Sequence, residues 1–235
     1  MQVADLFQTL ATGELSNLSL ADQTAGDIVV AQKPKILRYA NKALIRLYSK
    51  FMLREASVNI LVDPGITLYK LDAINALTNV SPAPGQVLFI QDSSAAPFQN
   101  DVIKIMSIKD TICHTDRPLN DPENCRSFFT PQPKVLQIPD PKCCAGQVFT
   151  LLYQAKHVPL VAYTDTIDLP ETLEQAMTCY IAHLAYSDLN GQENVAKGQE
   201  KLSFFDAICT EVIEQDLANT SYSMTNVRFH KRGWV

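Results

Sequence analysis

"KPKILRYANKALIRLYSKFMLREASVNILVDPGITLYKL", residues 33–71, changes period partway along, and that change decides the fold. Its first part places Ile36, Ala40, Ala43, Leu44, Leu47 and Phe51 at the three- and four-residue steps of one helix face. Pro34 falls in the first turn, where a missing N–H costs nothing. The pattern predicts a helix over 33–56. From residue 57 the helical step is lost. "SVNILVDPGITLYKL" reads as two β-rich runs about an Asp63-Pro64-Gly65 turn, which predicts a hairpin.

Downstream the β character persists. "PGQVLFIQD" (84–92), "DVIKIMSIKD" (101–110), "PKVLQIPD" (133–140) and "QVFTLLYQAKHV" (147–158) read as strands, with "LDAINALTNV" (71–80) as a possible short helix. Ten of the 13 prolines lie between residues 64 and 141, which suits short strands joined by turns. At 168 the helical period returns in "DLPETLEQAMTCYIAHLAYSDLNGQ". Asp168 with Glu171 three residues on has the form of a capping box. Leu173, Ala176, Met177, Tyr180, Ile181 and Leu184 share a face, and Gly191 is the expected stop. A further helix is expected from about 193 to 217, with Val195, Leu202, Phe205, Cys209, Val212 and Ile213 inward. Upstream, Val3, Leu6, Phe7 and Leu10 predict a short first helix, followed by a turn-rich loop over 13–27.

The expected fold is therefore α+β. Residues 1–56 and 167–218 form an antiparallel helical bundle, 57–166 an inserted, mostly antiparallel β domain, and 219–235 an extended C-terminal arm. The chain has 235 residues, 46% apolar and 19% charged, enough for a sizeable core. No apolar run approaches the roughly 18 residues of a membrane span, so no membrane partner is expected. The N-terminus lacks a cationic start before an apolar core. The expectation is a chain that folds in a cytosol, with its thiols reduced.

Charge is unevenly placed. Over 33–56, Lys33, Lys35, Arg38, Lys42, Arg46, Lys50 and Arg54 stand against Glu55 alone, a balance of +6. Positions 38, 42, 46, 50 and 54 step by four and make a slowly turning basic ridge. Over 165–216, eleven acids including Glu171, Glu174, Glu200, Glu211 and Glu214 face only Lys197 and Lys201, a balance of −9. Three readings stay open. The two faces pair within the chain and are otherwise solvated. They mate between copies head to tail, which closes a ring when the rotation permits. Or the ridge binds nucleic acid, against which the acidic segments would act. In the head-to-tail reading Lys35, Arg38, Lys42, Arg46, Lys50 and Arg54 form the basic inter-subunit face, and Glu171, Glu174, Glu200, Glu211 and Glu214 the acidic one.

The last residues, "NTSYSMTNVRFHKRGWV" (219–235), turn from polar to cationic and aromatic: Arg228, Phe229, His230, Lys231, Arg232 and the single tryptophan, Trp234. Such a tail packs on its own domain, stays disordered, or inserts into a partner, where Trp and Arg are usual anchors. Catalytic and cofactor motifs are missing from the sequence: no Gly-rich phosphate loop and no nucleophile elbow. Cys113, His114, Cys125, Cys143, Cys144 and His157 fall in the β region at spacings too long for a zinc site, and free thiols are expected over an oxidised pair. Asp110, Asp116 and Asp121 are too loosely spaced for a calcium loop. His183, one turn from Tyr180, has no partner at catalytic spacing. No enzyme activity, cofactor or metal is expected, although a hydrolase housed in the β region remains a third hypothesis.

Three stretches together resemble the head-to-tail adaptor (connector, or tail tubular) proteins of tailed bacteriophages. "ILRYANKALIRLYSKFMLREASVNILVDPGITLYKL" is similar to the family's second helix and the Gly-x-Thr-x-Tyr strand after it. "VFTLLYQAKHVPLVAYTDTIDLPETLEQAMTCYIAHLAYSD" is similar to its last strand, linker, Leu-Pro helix start and Tyr-rich helix. "AKGQEKLSFFDAICTEV" is similar to its closing helix, with Phe204 and Phe205 paired. The likeness covers most of 30–217; residues 111–146 and the cysteine content have no counterpart in it. It implies a structural virion protein, made in the host cytoplasm and sited at the head–tail junction. The partners implied are a homo-oligomeric ring, usually a dodecamer, the portal protein, the tail nozzle, and viral DNA passing through the lumen. It also implies that the C-terminal arm, Arg228 to Trp234, docks into the portal. The alternative is a DNA-binding accessory protein using helix 33–56.

Overall fold

The computed structural model describes residues 1–22, 24–111, 115–189, 191–215 and 217. In chain order these form α1 (Val3–Thr12), β1 (Ala21–Asp22), β2 (Asp27–Ile28) and α2 (Lys33–Lys50). There follow β3 (Glu55–Leu61), β4 (Leu68–Lys70), β5 (Ile90–Gln91), β6 (Val102–Asp110), β7 (Asp116–Arg117), β8 (Phe129–Gln132), β9 (Val135–Gln137) and β10 (Val148–Ala155). The chain ends its described part with α3 (Glu171–Ser187) and α4 (Gln192–Glu214). It is a mixed α+β protein with antiparallel sheets. It divides into two compact units, one of Met1–Leu53 with the described residues of Leu160–Val235, the other of Arg54–Pro159. No helix among the described residues is long and apolar enough to cross a membrane.

In the helical unit, Val3, Leu6, Phe7 and Leu10 of α1 are all buried, as their spacing requires. Two of the N–H groups that a helix start leaves unpaired are taken up by the returning chain: Val3 N–H donates to Asp165 O and Ala4 N–H to Tyr163 O. Leu15 and Leu20 of the following loop pack inward as well. The expected stripe of α2, Ile36 through Leu47, is buried, and so is Phe51. The helix itself stops at Lys50, six residues short of the sequence reading. Phe51 is extended (φ −117°, ψ 145°), and Arg54 already accepts a sheet-type hydrogen bond from Ala155 N–H. Met52 to Ala56 are good helix formers; pairing with β10 overrides their propensity.

The helix α3 is packed against α1, α2 and α4 and is buried on most of its circumference, from Leu173 and Met177 to Ile181, Ala182 and Ala185. Its start differs from the expected capping box. The residue before a proline is kept out of the helical region, so the helix begins only after Pro170, which occupies the N-cap without a side-chain bond. Asp168 instead offers its carbonyl to the Tyr48 hydroxyl. Gly191 does not end α3; with φ +115° it opens α4. That helix folds back antiparallel to α3, since His183 meets Gly198 while Tyr180 stacks near Phe205, further from the connection. Gly198, Phe205, Cys209 and Val212 are buried, but Val195 and Ile213, expected inward, lie at the margins of this narrow stripe and are exposed.

In the β unit a five-stranded antiparallel sheet has the order β5-β3-β10-β6-β7, and a three-stranded one the order β4-β9-β8. The central strand, β10, alternates cleanly, with Phe149, Leu151, Tyr153 and Ala155 buried. Val58, Ile60, Ile105, Ile108, Phe149 and Leu151 share one apolar cluster with Tyr69 and Leu136 of the smaller sheet and with Leu71 and Ile138 just past its strands. The expected hairpin over 57–71 is not one. The Asp63-Pro64-Gly65 turn is present, with Gly65 N–H on the Asp63 carboxylate, but β3 and β4 enter different sheets. The buried Tyr69 hydroxyl accepts from Asp63 N–H and donates to Asp63 O, making the turn a corner between sheets. Of the strand expected over 84–92 only Ile90–Gln91 pairs, and 71–80 holds a single 3-10 turn, Ala73–Asn75. The strand β8 had no sequence signal strong enough to mark it.

Candidate functional site

The charged faces lie chiefly in the helical unit, and its geometry separates paired from unpaired members. Lys33 Nζ is 2.5 Å from Asp27, Lys35 is 3.3 Å from Asp188, and Lys50 is 3.3 Å from Asp206. Arg54 leaves the ridge altogether, because α2 ends before it. It belongs to the β unit, 3.5 Å from Asp101 and donating to Lys156 O. Arg38, Lys42 and Arg46 remain, one helical turn apart and exposed, with no ion pair among the described residues. Lys42 Nζ lies over the Tyr39 ring at 5.9 Å.

Asp188, just past the end of α3, organises one end of this face. It accepts a short hydrogen bond from the Tyr39 hydroxyl and pairs with Lys35. The Tyr39 bond, reinforced by Lys35, holds its carboxyl below the usual range. Burial, reinforced by Asp188, pushes the Tyr39 hydroxyl up. Lys35, Arg38, Tyr39, Lys42 and Asp188 line a pocket of about 230 Å³ whose cations outnumber its one acid.

On the other side of the charge ledger, Glu200 and Glu211 stand three turns apart on α4 and so have nearly the same bearing, with Glu214 beside them. All three are exposed, opposite the buried stripe, with half-exposed Phe204 among them. Glu171 and Glu174 lie in the first turn of α3. None of these five carries an ion pair among the described residues; Glu211 accepts from Gln215. The arm residues Arg228, Phe229, His230, Lys231, Arg232 and Trp234 lie outside the described residues.

The side chains that could carry chemistry have structural company. His183 Nδ1 is 2.8 Å from Gly198 O and its ring 5.8 Å from that of Tyr180, so it ties α3 to α4. Cys179 and Cys209 are buried in the helical unit, and burial pushes both thiols up. Asp110 pairs with Arg117 at 3.3 Å, while Asp121 caps its own turn through Glu123 N–H. His157 Nδ1 bonds to Val158 O. No group of three metal-type ligands occurs among the described residues; Cys113 and His114 lie outside them. Cys125, Cys143 and Cys144 line one cavity of about 560 Å³, and the Cys143 thiol donates to Asp140 at 2.9 Å.

One polar cluster escaped the sequence reading. The Tyr153 hydroxyl donates to the buried Asp101 at 2.9 Å, with Arg54 on the same carboxylate. Burial, then Asp101, pushes the Tyr153 hydroxyl up. Alternation along β10 marks Tyr153 as inward, and a buried hydroxyl needs a partner, but nothing local points to residue 101.

No protein-family model and no curated protein matches the chain.

Proposed function

We propose that this chain is the repeating subunit of a ring that joins the portal vertex of a tailed bacteriophage to its tail and continues the DNA channel. In this reading the N- and C-terminal helices close into one bundle, the β unit is an insert in it, and residues 219–235 are the arm that engages the portal. The observation that carries it is the unmated charge of the helical unit: Arg38, Lys42 and Arg46 on α2, Glu200, Glu211 and Glu214 on α4. Exposed ion pairs between neighbours are individually weak, but a row of them repeated around a closed ring adds up and fixes register. The three stretches that resemble phage adaptors support the same reading.

The test is mass measurement of the purified chain mixed with portal protein. A large symmetric complex is expected, with attachment abolished when residues 228–235 are deleted and the helical content is unchanged. A persistent monomer with no portal affinity would overturn the ring; unchanged attachment of the truncated chain would overturn the arm. A second reading, DNA binding through Arg38, Lys42 and Arg46, is favoured by their exposure. It requires a DNA complex whose affinity falls steeply with salt, and is lost if no binding occurs at low salt.

A further inference from the structure

Three thiols of the β unit, those of its described cysteines, fall into one place. Cys125 sits in the turn-rich loop that follows β7, and Cys143 and Cys144 end the 3-10 turn Pro141–Cys144. All three line the same cavity of about 560 Å³, together with Arg117, Arg126 and Asp140. Cys125 and Cys143 are exposed and reduced, whereas Cys144 is half-buried and packs against the apolar cluster of the unit. Both exposed thiols are carried by loops rather than by strands of the sheet, and such segments move with little loss of packing. We infer that Cys125 and Cys143 are a redox pair, open in a reducing cytosol and joined by a disulfide across the cavity under oxidising conditions.

Glutathione disulfide is the chemical class of oxidant that fits. The Cys125 thiolate attacks one glutathione sulfur, forms a mixed disulfide and expels one glutathione thiolate. Cys143 then releases its proton, attacks the Cys125 sulfur and expels the second glutathione. Two protein thiols are oxidised, one glutathione disulfide is reduced to two thiols, and the two protons pass to the departing thiolates. Arg117 and Arg126 line the same wall and give an anionic oxidant such as glutathione disulfide a cationic approach. The Asp140 carboxylate, which accepts from the Cys143 thiol and pushes that thiol up, is placed to take its proton as Cys143 attacks in the second step. The closed loop ties the 121–127 turn to the 141–144 turn.

The pairing stands on the β unit alone and does not need the ring. The experiment equilibrates the full chain with excess glutathione disulfide, alkylates the remaining thiols, and maps the bridged peptides by mass spectrometry. The expected result is loss of two alkylatable thiols, a Cys125–Cys143 bridged peptide, and full return with dithiothreitol. Cys144→Ser retains the bridge, while Cys125→Ser and Cys143→Ser each abolish it. The proposal is overturned if Cys125 and Cys143 both stay alkylatable, or if the bridge contains Cys113 or Cys144.

Discussion

Gly198 sets how closely α4 lies on α3. A Cβ added there would meet Ser187 Oγ at 3.0 Å and the His183 carbonyl oxygen at 3.4 Å. Alanine brings two opposed effects. It gains about 1 kcal/mol of helix propensity over glycine, and it must displace only a serine hydroxyl, which can rotate. Gly198→Ala is therefore expected to change stability by less than about 1 kcal/mol. Gly198→Leu has no such escape: its longer side chain must push against the His183 carbonyl and so against the helix itself, at a cost of about 2–3 kcal/mol. Urea unfolding followed by far-ultraviolet circular dichroism measures both. A leucine variant as stable as the parent would mean that the helices do not meet at this point. The sequence offers no sign of this contact, because an isolated glycine inside a helical pattern shows its cost and conceals its partner. Asp188 is similar: its partners Tyr39 and Lys35 are far away in the chain, and only folding brings them to it.

At the level of elements, what was legible follows from where each signal is stored. The alternation of β10, and the stripes of α1 and α2, are local periodicities fixed by burial, and the sequence carries them openly. Ends and partners are stored elsewhere. Helix α2 stops at Lys50 because β10 claims Arg54 to Ala56, and β3 parts from β4 because each finds a different strand beside it. The turn at Asp63 looks identical in a hairpin and in a corner; Tyr69 is what distinguishes them. Its hydroxyl serves both backbone groups of Asp63, and burial pushes its pKa up. Tyr69→Phe keeps the ring in the core and leaves Asp63 N–H and C=O without that partner. It should cost about 1–3 kcal/mol, the range for stranding buried polar groups. Calorimetry compares the two proteins directly. A loss below a few tenths of a kcal/mol would show that water replaces the hydroxyl freely and that the corner is held by apolar packing alone.

For the molecule as a whole, the charge asymmetry was visible in the sequence because exposed charges do not depend on packing. How much of it is spent internally was not visible: Lys33, Lys35 and Lys50 find acids within the helical unit, and Arg54 finds Asp101 within the β unit. The remainder defines the decisive experiment on the proposed ring. Arg38→Glu with Arg46→Glu reverses one face; Glu211→Arg with Glu214→Arg reverses the other. All four positions are exposed, so each substitution should alter stability by no more than about 0.5 kcal/mol. Head-to-tail mating requires that either reversed chain, alone, fails to assemble on portal protein, since like charges then face each other at every junction. It also requires that the quadruple variant assembles again, because both faces have changed sign together. Sedimentation velocity at low and physiological salt reads the outcome. Screening over about 8 Å at physiological ionic strength should weaken both the defect and the rescue. Nucleic-acid binding by α2 makes the opposite forecast for the quadruple variant. Its α2 row is acidic whatever α4 carries, so DNA affinity stays lost where ring assembly returns. Assembly by both singly reversed chains would remove the charged rows from the contact between copies.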